Sequence, residues 1–138
     1  MNAGIMLAVL RIVSGLLFLE HGLQKFASFP PGPMAGVGLQ FNSMIGFAGI
    51  PELACGLLIT IGLFTRPAAF VASGTMAVAY WTTHAPRDFF PVNNQGDAAI
   101  LYCFVFLYLV FAGAGPLSID AARANRTTPA IPPAPPKD

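Results

Sequence analysis

GIMLAVLRIVSGLLFLEHGLQKF, residues 4–26, decides how the rest of the chain is read. A helix needs about 20 residues to cross the ~30 Å hydrocarbon core of a bilayer, and this stretch is long enough. Yet it carries Arg11 in its interior and Glu20, His21, Gln24 and Lys25 close to its end. At ~100° per residue, Arg11, Ser14, Gly15, Phe18, His21, Gly22 and Lys25 fall on one stripe about 120° wide. Small residues on such a stripe let a neighbouring helix come close, so it is expected to face the interior of a bundle. Glu20 lies roughly opposite Arg11 and is expected to face headgroup water or a second protein.

Composition points the same way. Of 138 residues, 55% are hydrophobic and 9% charged, and mean hydropathy is +0.66, whereas soluble domains run at about 25% charged. The net charge of +1 supplies no basic field, and no stretch interleaves Lys or Arg with aromatics, so no nucleic-acid partner is expected. The first apolar segment lacks a basic start and outruns the short apolar core of a signal peptide, so it is expected to stay in the mature protein. Cys55 and Cys103 lie in apolar segments without CxxC or Cys/His spacing and read as small buried hydrophobes rather than a zinc or disulfide framework.

Three further apolar segments follow, at about 43–64, 67–84 and 96–114. Pro30, Pro31, Gly32 and Pro33 break the first connection, Asn42 or Ser43 can cap the second helix, and Gly62 with Pro67 marks a tight reversal. Pro86, Pro91 and Asn93-Asn94 mark the third connection. The expected architecture is all-α: a polytopic membrane protein whose residues 1–126 form a four-transmembrane-helix bundle, followed by a disordered Pro-rich tail at 127–138. Arg66, Arg123, Arg126 and Lys137 would share one side of the membrane, against Lys25 and Arg87 on the other. By the Lys/Arg rule this predicts termini in the cytoplasm, with the first and third connections outside.

Depth then sorts the ionisable residues. His21 and Lys25 near the end of the first segment, Glu52 early in the second, His84 at the end of the third and Asp97 at the start of the fourth all fall in the outer half. Glu52 lies roughly 13 Å along its helix, and a charge near the bilayer centre costs at least ~2.5–3.5 kcal/mol, so it needs a partner among His21, Lys25 or Arg11. Pro51 before it removes one backbone donor. Arg11, in the inner half, is expected to pair with Asp120 or to hold Glu52.

The stretches LRIVSGLLFLEHGLQKF, PELACGLLITIGLFTRPAA, AYWTTHAPRDFFPVNNQGDAAILYCFVFLYL and GAGPLSID together resemble the DoxX family of small four-span bacterial membrane proteins. His21, Gly22 and Lys25 match its HGxxK group, and Glu52 through Ala68 match its ExxxG and GLFTRPA groups. Where relatives commonly show Gly-Gly-Glu, this chain has Gln95, Gly96 and Asp97, and Pro51 stands where an aliphatic residue is more usual. The resemblance implies a membrane subunit of a quinone-linked redox system.

Several readings of the outer polar layer stay open. His21, Glu52, His84 and Asp97 have the donor types of a divalent-metal site but no local ligand spacing, and the same residues suit a hydrogen-bonded network that fixes helix register. A quinone or small-molecule pocket would use His21, Lys25 or His84 as donors, with Phe18, Tyr80, Trp81, Phe89, Phe90 and Phe104 as lining. Alternatively the protein is a non-catalytic anchor, since no dinucleotide, haem, P-loop or nucleophile-elbow motif is present. Any redox reaction would then need a partner protein, docked at Glu20, Arg87 and Asp88, and Gly-rich faces also suit a homo-oligomer. A transporter would need polar groups across the full thickness, which Arg11 alone does not supply.

Overall fold

Long apolar segments punctuated by Pro and Gly fold here into helices, and a computed structural model describes residues 2–39 and 44–127 of them. Helix α1 is Ala3–Ala27, α2 Met44–Ile61, α3 Thr65–Ala79, α4 Pro91–Asn94, α5 Asp97–Ala112 and α6 Ile119–Thr127. There is no strand among the described residues. A 3₁₀ turn at Val37–Leu39 lies in the first connection, and a π-helical turn at Tyr80–His84 continues α3. The capping expected from Asn42 or Ser43, and the Pro-rich tail from residue 128 onward, fall outside the described residues.

Local chemistry explains the helix limits. Asn2 starts α1 by accepting the Ile5 N–H at 3.0 Å, satisfying one of the orphan donors of a helix start. Ser28, at φ 55°, ends it with its N–H bonded back to the Leu23 carbonyl. At the other end of α3, the Ala85 N–H bonds to the Tyr80 carbonyl at 2.9 Å. Pro86 follows and cannot extend the helix. Helix α6 was not anticipated from the sequence; its signal was Ser118, whose Oγ accepts the Ala121 N–H at 3.1 Å in the manner of an N-cap.

The four long helices pack in a ring. Helix α1 lies along α2, α2 beside α3, and α3 along α5, and α5 closes on α1 through aromatic contacts. Phe18 of α1 is fully buried at the centre. Its ring meets Phe106 edge-on at 4.8 Å, and Tyr102 stacks on Phe106 at 5.6 Å. Cys55, Ile59, Ala69, Ala72 and Leu109 complete this core. No disulfide forms: Cys55 is buried and Cys103 half-buried beside Ser73, whose hydroxyl donates to the Cys103 carbonyl at 2.9 Å.

Close approach of α1 and α2 rests on glycines. A Cβ on Gly15 would lie 2.7 Å from Thr60 Oγ1, one on Gly22 2.7 Å from the Leu53 nitrogen, and one on Gly56 2.7 Å from the Leu19 Cα. These positions alternate between the helices at steps of three and four residues, so each backbone sits in the groove the other leaves open.

The helices differ in reach. Among the described residues α1 is the one helix long and apolar enough to cross a membrane by that measure alone, while Gly46–Ile61 and Asp97–Ala112 are shorter apolar helices. Helix α3 is diluted by Thr, Ser and Ala. Large apolar side chains such as Leu16, Leu57, Val71, Phe104 and Phe111 are exposed on the outside of the bundle, far more than a water-facing monomer tolerates.

Two glycine substitutions separate packing from propensity. Gly74 has nothing within 4 Å of an added Cβ, so Gly74→Ala should raise stability by up to about 1 kcal/mol. Gly56→Ala should lower it by about 1–3 kcal/mol. Thermal unfolding in detergent checks both signs.

Candidate functional site

The site grows from the charges that α1 carries into an apolar bundle. A buried ammonium must meet an acceptor, and Lys25 meets Glu52: Nζ donates to both carboxylate oxygens, at 2.5 and 2.7 Å. Lys25 is 9% and Glu52 4% exposed. The backbone closes over the pair. A Cβ on Gly38, in the 3₁₀ turn of the first connection, would stand 3.1 Å from Lys25, and one on Gly49 of α2 would stand 3.3 Å from its Cδ. Bulkier residues at either place would push the covering loop or helix off the pair.

His21, one turn before Lys25, is placed differently from the expectation. It belongs to the stripe by arithmetic, but its side chain is exposed while Gly22 and Lys25 are buried. It stands at the α1–α5 seam, edge-on to Tyr102 with ring centroids 6.3 Å apart. There it is an electrostatic neighbour of Glu52, as Glu20 is of Tyr102. Tyr102 was not among the residues singled out from the sequence; an aromatic on an apolar helix carries no signal until its neighbours are known.

His84 and Asp97 stand apart from the pair. The Asn94 carbonyl only accepts, so the His84 contact of 3.0 Å makes Nδ1–H the donor. Asn94, read from the sequence only as a marker of the third connection, is buried and ties that connection together: its Nδ2 donates to the Asp88 carbonyl at 2.8 Å and its Oδ1 accepts the Gly96 N–H at 2.8 Å. Asp97 is exposed at the first residue of α5, where a negative charge favours the helix dipole. Neither residue is hydrogen-bonded or ion-paired to Lys25 or Glu52.

Among the described residues no three His, Cys, Asp or Glu side chains come together in a metal-holding group, so His21, Glu52, His84 and Asp97 do not form one. Of the aromatics expected to line a pocket, Tyr80 meets Trp81 edge-on at 5.4 Å and Phe89 meets Phe90 at 5.3 Å. Phe18 is enclosed in the core, and Trp81, Phe89, Phe90 and Phe104 are exposed.

At the opposite end the Arg11–Asp120 ion pair expected from the sequence is replaced by two separate devices. Arg11 is 0% exposed. Its guanidinium donates to the carbonyls of Ile59 and Thr60 at 2.6 Å, and of Ala114 and Leu117 at 2.8 Å. The first two lie in the last turn of α2, where helix carbonyls lack an i+4 partner and carry partial negative charge; the Ile59 carbonyl also accepts the Gly62 N–H at 3.1 Å. Asp120 instead accepts the N–H groups of Phe64 and Thr65, both at 2.9 Å, at the start of α3. The planar guanidinium has enough donors for every carbonyl offered to it, so it needs no carboxylate.

With this geometry in place the chain can be set beside known proteins. The sequence profile of DoxX matches residues 6–85, a stretch that includes Arg11, His21, Lys25, Glu52 and His84. The chain belongs to the DoxX family. It is 44% identical over 117 residues to an uncharacterized protein of Haemophilus influenzae, covering 83% of this chain and 87% of that one. It is also 29% identical over 135 residues to the uncharacterized membrane protein Rv3486 of Mycobacterium tuberculosis, covering 86% and 82%. No solved structure matches. This DoxX protein is a membrane protein, and its exposed apolar exterior accords with that location.

Two outcomes are expected from these contacts. Lys25→Met or Glu52→Gln alone should destabilise the fold by about 3–5 kcal/mol, because each strands a buried partner, while Lys25→Met with Glu52→Leu should cost less than either. Unfolding of the three variants in detergent decides this, and a double variant worse than both singles would refute it. Asp120 gives a pH signature. Partial burial disfavours its charge, but the N–H groups of Thr65 and Phe64 and the charge of Arg123 outweigh that and hold its carboxyl below the usual range. A depressed native value stabilises the fold above the unfolded value of about 3.9, and that contribution disappears as pH falls through the native value. Asp120→Asn should therefore lower the melting temperature at neutral pH and flatten its decline in acid.

Proposed function

We propose that this DoxX protein is a multi-pass subunit of a quinone-linked redox system in the bacterial inner membrane. Helices α1, α2, α3 with its π turn, and α5 span the bilayer, and both termini are cytoplasmic. The quinone head group lies in the outer half, at the α1–α5 seam. The observation that carries this reading is the pairing of an exposed His21 imidazole with Tyr102 at 6.3 Å, beside the buried Lys25–Glu52 pair. A quinone carbonyl needs a hydrogen-bond donor and its ring an apolar setting. His21 and Tyr102 supply the donors, and Phe18 and Phe106 form the apolar wall behind Tyr102. Lys25 and Glu52 serve as positioning residues, holding the α1 turn that presents His21. Electrons come from a partner protein, since the chain carries no carrier motif of its own.

A second reading, a non-catalytic anchor for such a partner, is favoured by the closure of the Lys25–Glu52 pair, whose hydrogen bonds are spent on each other. Quinone binding separates the two. A short-chain ubiquinone or menaquinone analogue should quench the Trp81 fluorescence of purified protein in nanodiscs, with His21→Ala weakening binding by about tenfold, the worth of one hydrogen bond to a charged or polar head group. No binding to the parent protein, or equal binding to His21→Ala, would leave the anchor reading.

A further inference from the structure

The end of the bundle opposite the Lys25–Glu52 pair carries a feature that the proposed activity does not use. Between the α2–α3 turn, the end of α5 and the start of α6 lies a cavity of about 360 Å³, walled by Phe64, Thr65, Arg66, Gly113, Gly115 and Asp120 among others. Its charges are unequal in availability. Asp120 commits one oxygen to each of two backbone N–H groups. Among the described residues Arg66 is hydrogen-bonded through Nη1 alone, to the Val110 carbonyl at 2.7 Å, and its side chain is exposed. Its Nη2 and Nε lie against Gly113, 3.2 and 3.5 Å from where a Cβ would be, so the glycine leaves the guanidinium open to the cavity. Thr65 in the same wall is 1% exposed, and its hydroxyl makes no well-formed hydrogen bond, though it lies close enough to the Asp120 carboxylate to favour that charge.

The rim adds both charge and grease. Arg123 lies over the Phe64 ring at 5.5 Å, and Arg126 follows three residues later on the same face of α6, both exposed. Phe64, Leu117 and Ile119 are exposed large hydrophobics on this rim. Exposed apolar side chains interleaved with arginines are the composition of a helix lying in the interfacial layer of a membrane, where anionic head groups and acyl chains meet. A water-facing anion site would have no use for the exposed Phe64, Leu117 and Ile119.

We infer that this cavity and its rim bind the head group of an anionic phospholipid, with Arg66 and Arg123 on the phosphate and Phe64 and Leu117 against the upper acyl chains. The inference rests on the multi-pass reading for the leaflet, not for the chemistry. Arginine fits the task because its planar fork gives paired donors to phosphate oxygens.

The full chain in detergent is titrated with dioctanoyl phosphatidylglycerol, dioctanoyl phosphatidylcholine or glycerol 3-phosphate, reading melting temperature and, by native mass spectrometry, retained lipid. Phosphatidylglycerol should raise the melting temperature and stay bound, with phosphatidylcholine and glycerol 3-phosphate giving little effect. Arg66→Gln and Arg123→Gln should each weaken that binding about tenfold, whereas Arg87→Gln in the distant third connection should leave it unchanged. Should Arg66→Gln fold poorly through loss of the Val110 contact, Arg123→Gln on exposed α6 still decides. Equal effects of phosphatidylcholine would overturn the proposal, as would full activity of glycerol 3-phosphate or binding indifferent to Arg123. Because quinone binding is read at the other end of the bundle with His21→Ala, failure of one reading leaves the other standing.

Discussion

Helix α1 buries two cations in an apolar bundle, and the placement of its neighbours follows from how each is neutralised. Arg11 and Lys25 are fourteen positions apart on one helix, roughly 21 Å at 1.5 Å per residue. A buried charge without a partner costs several kcal/mol even after relaxation, so both must be answered. Helix α2 answers at both ends, with the Glu52 carboxylate for Lys25 and the Ile59 and Thr60 carbonyls for Arg11. Two such anchors on one antiparallel pair leave little freedom to slide. Gly15, Gly22 and Gly56 then allow the backbones to close to the distance the anchors require.

The two anchors use different chemistry because their settings differ. Lys25 is a compact charge and takes a single carboxylate in a bidentate contact. Arg11 sits where three chain segments end, and its fork gathers carbonyls from α2 and from the segment after α5. Around it Asp120 caps α3, and the Asp120 N–H donates to the Gly62 carbonyl at 2.9 Å. The result is a rigid end held through backbone groups. At the end that holds the Lys25–Glu52 pair, specific side chains remain on show: His21 and Tyr102 at the seam, Asp97 at a helix start, and His84 with one ring nitrogen engaged. Chemistry that needs accessible, titratable groups has more to work with there.

Much of α1 was legible in advance. Ala8, Arg11, Ser14, Gly15, Phe18, Gly22 and Lys25 are its buried residues, nearly the stripe drawn at 100° per residue. His21 is the exception, and the reason is geometric: it lies at the edge of that stripe, where α1 meets α5 through Phe18 alone among its ring contacts besides His21 itself. Periodicity gives the direction of a side chain but not whether a helix stands there. The same limit applies to the aromatics. Trp81, Phe89, Phe90 and Phe104 share a depth with the polar residues, but depth is one coordinate and a pocket needs three. Asn94 was read only as a turn marker and Tyr102 was missed, because an Asn in a Pro-bounded connection and a Tyr in an apolar run each have an ordinary explanation that only neighbours can displace.

From sequence alone came the all-helical class, the four long helical segments, the inward stripe of α1 and the need of Glu52 for a cation, because hydropathy, 3.6-residue periodicity and the cost of a buried charge are local or nearly local quantities. Tertiary structure decided which cation it would be, and that Arg11 would take carbonyls instead of Asp120. It also decided that His21 and Tyr102 would meet while His84 and Asp97 stayed apart. Those outcomes depend on the lateral order of helices and on the exact reach of side chains across them, and neither distance nor azimuth between helices is encoded in the spacing within any one of them.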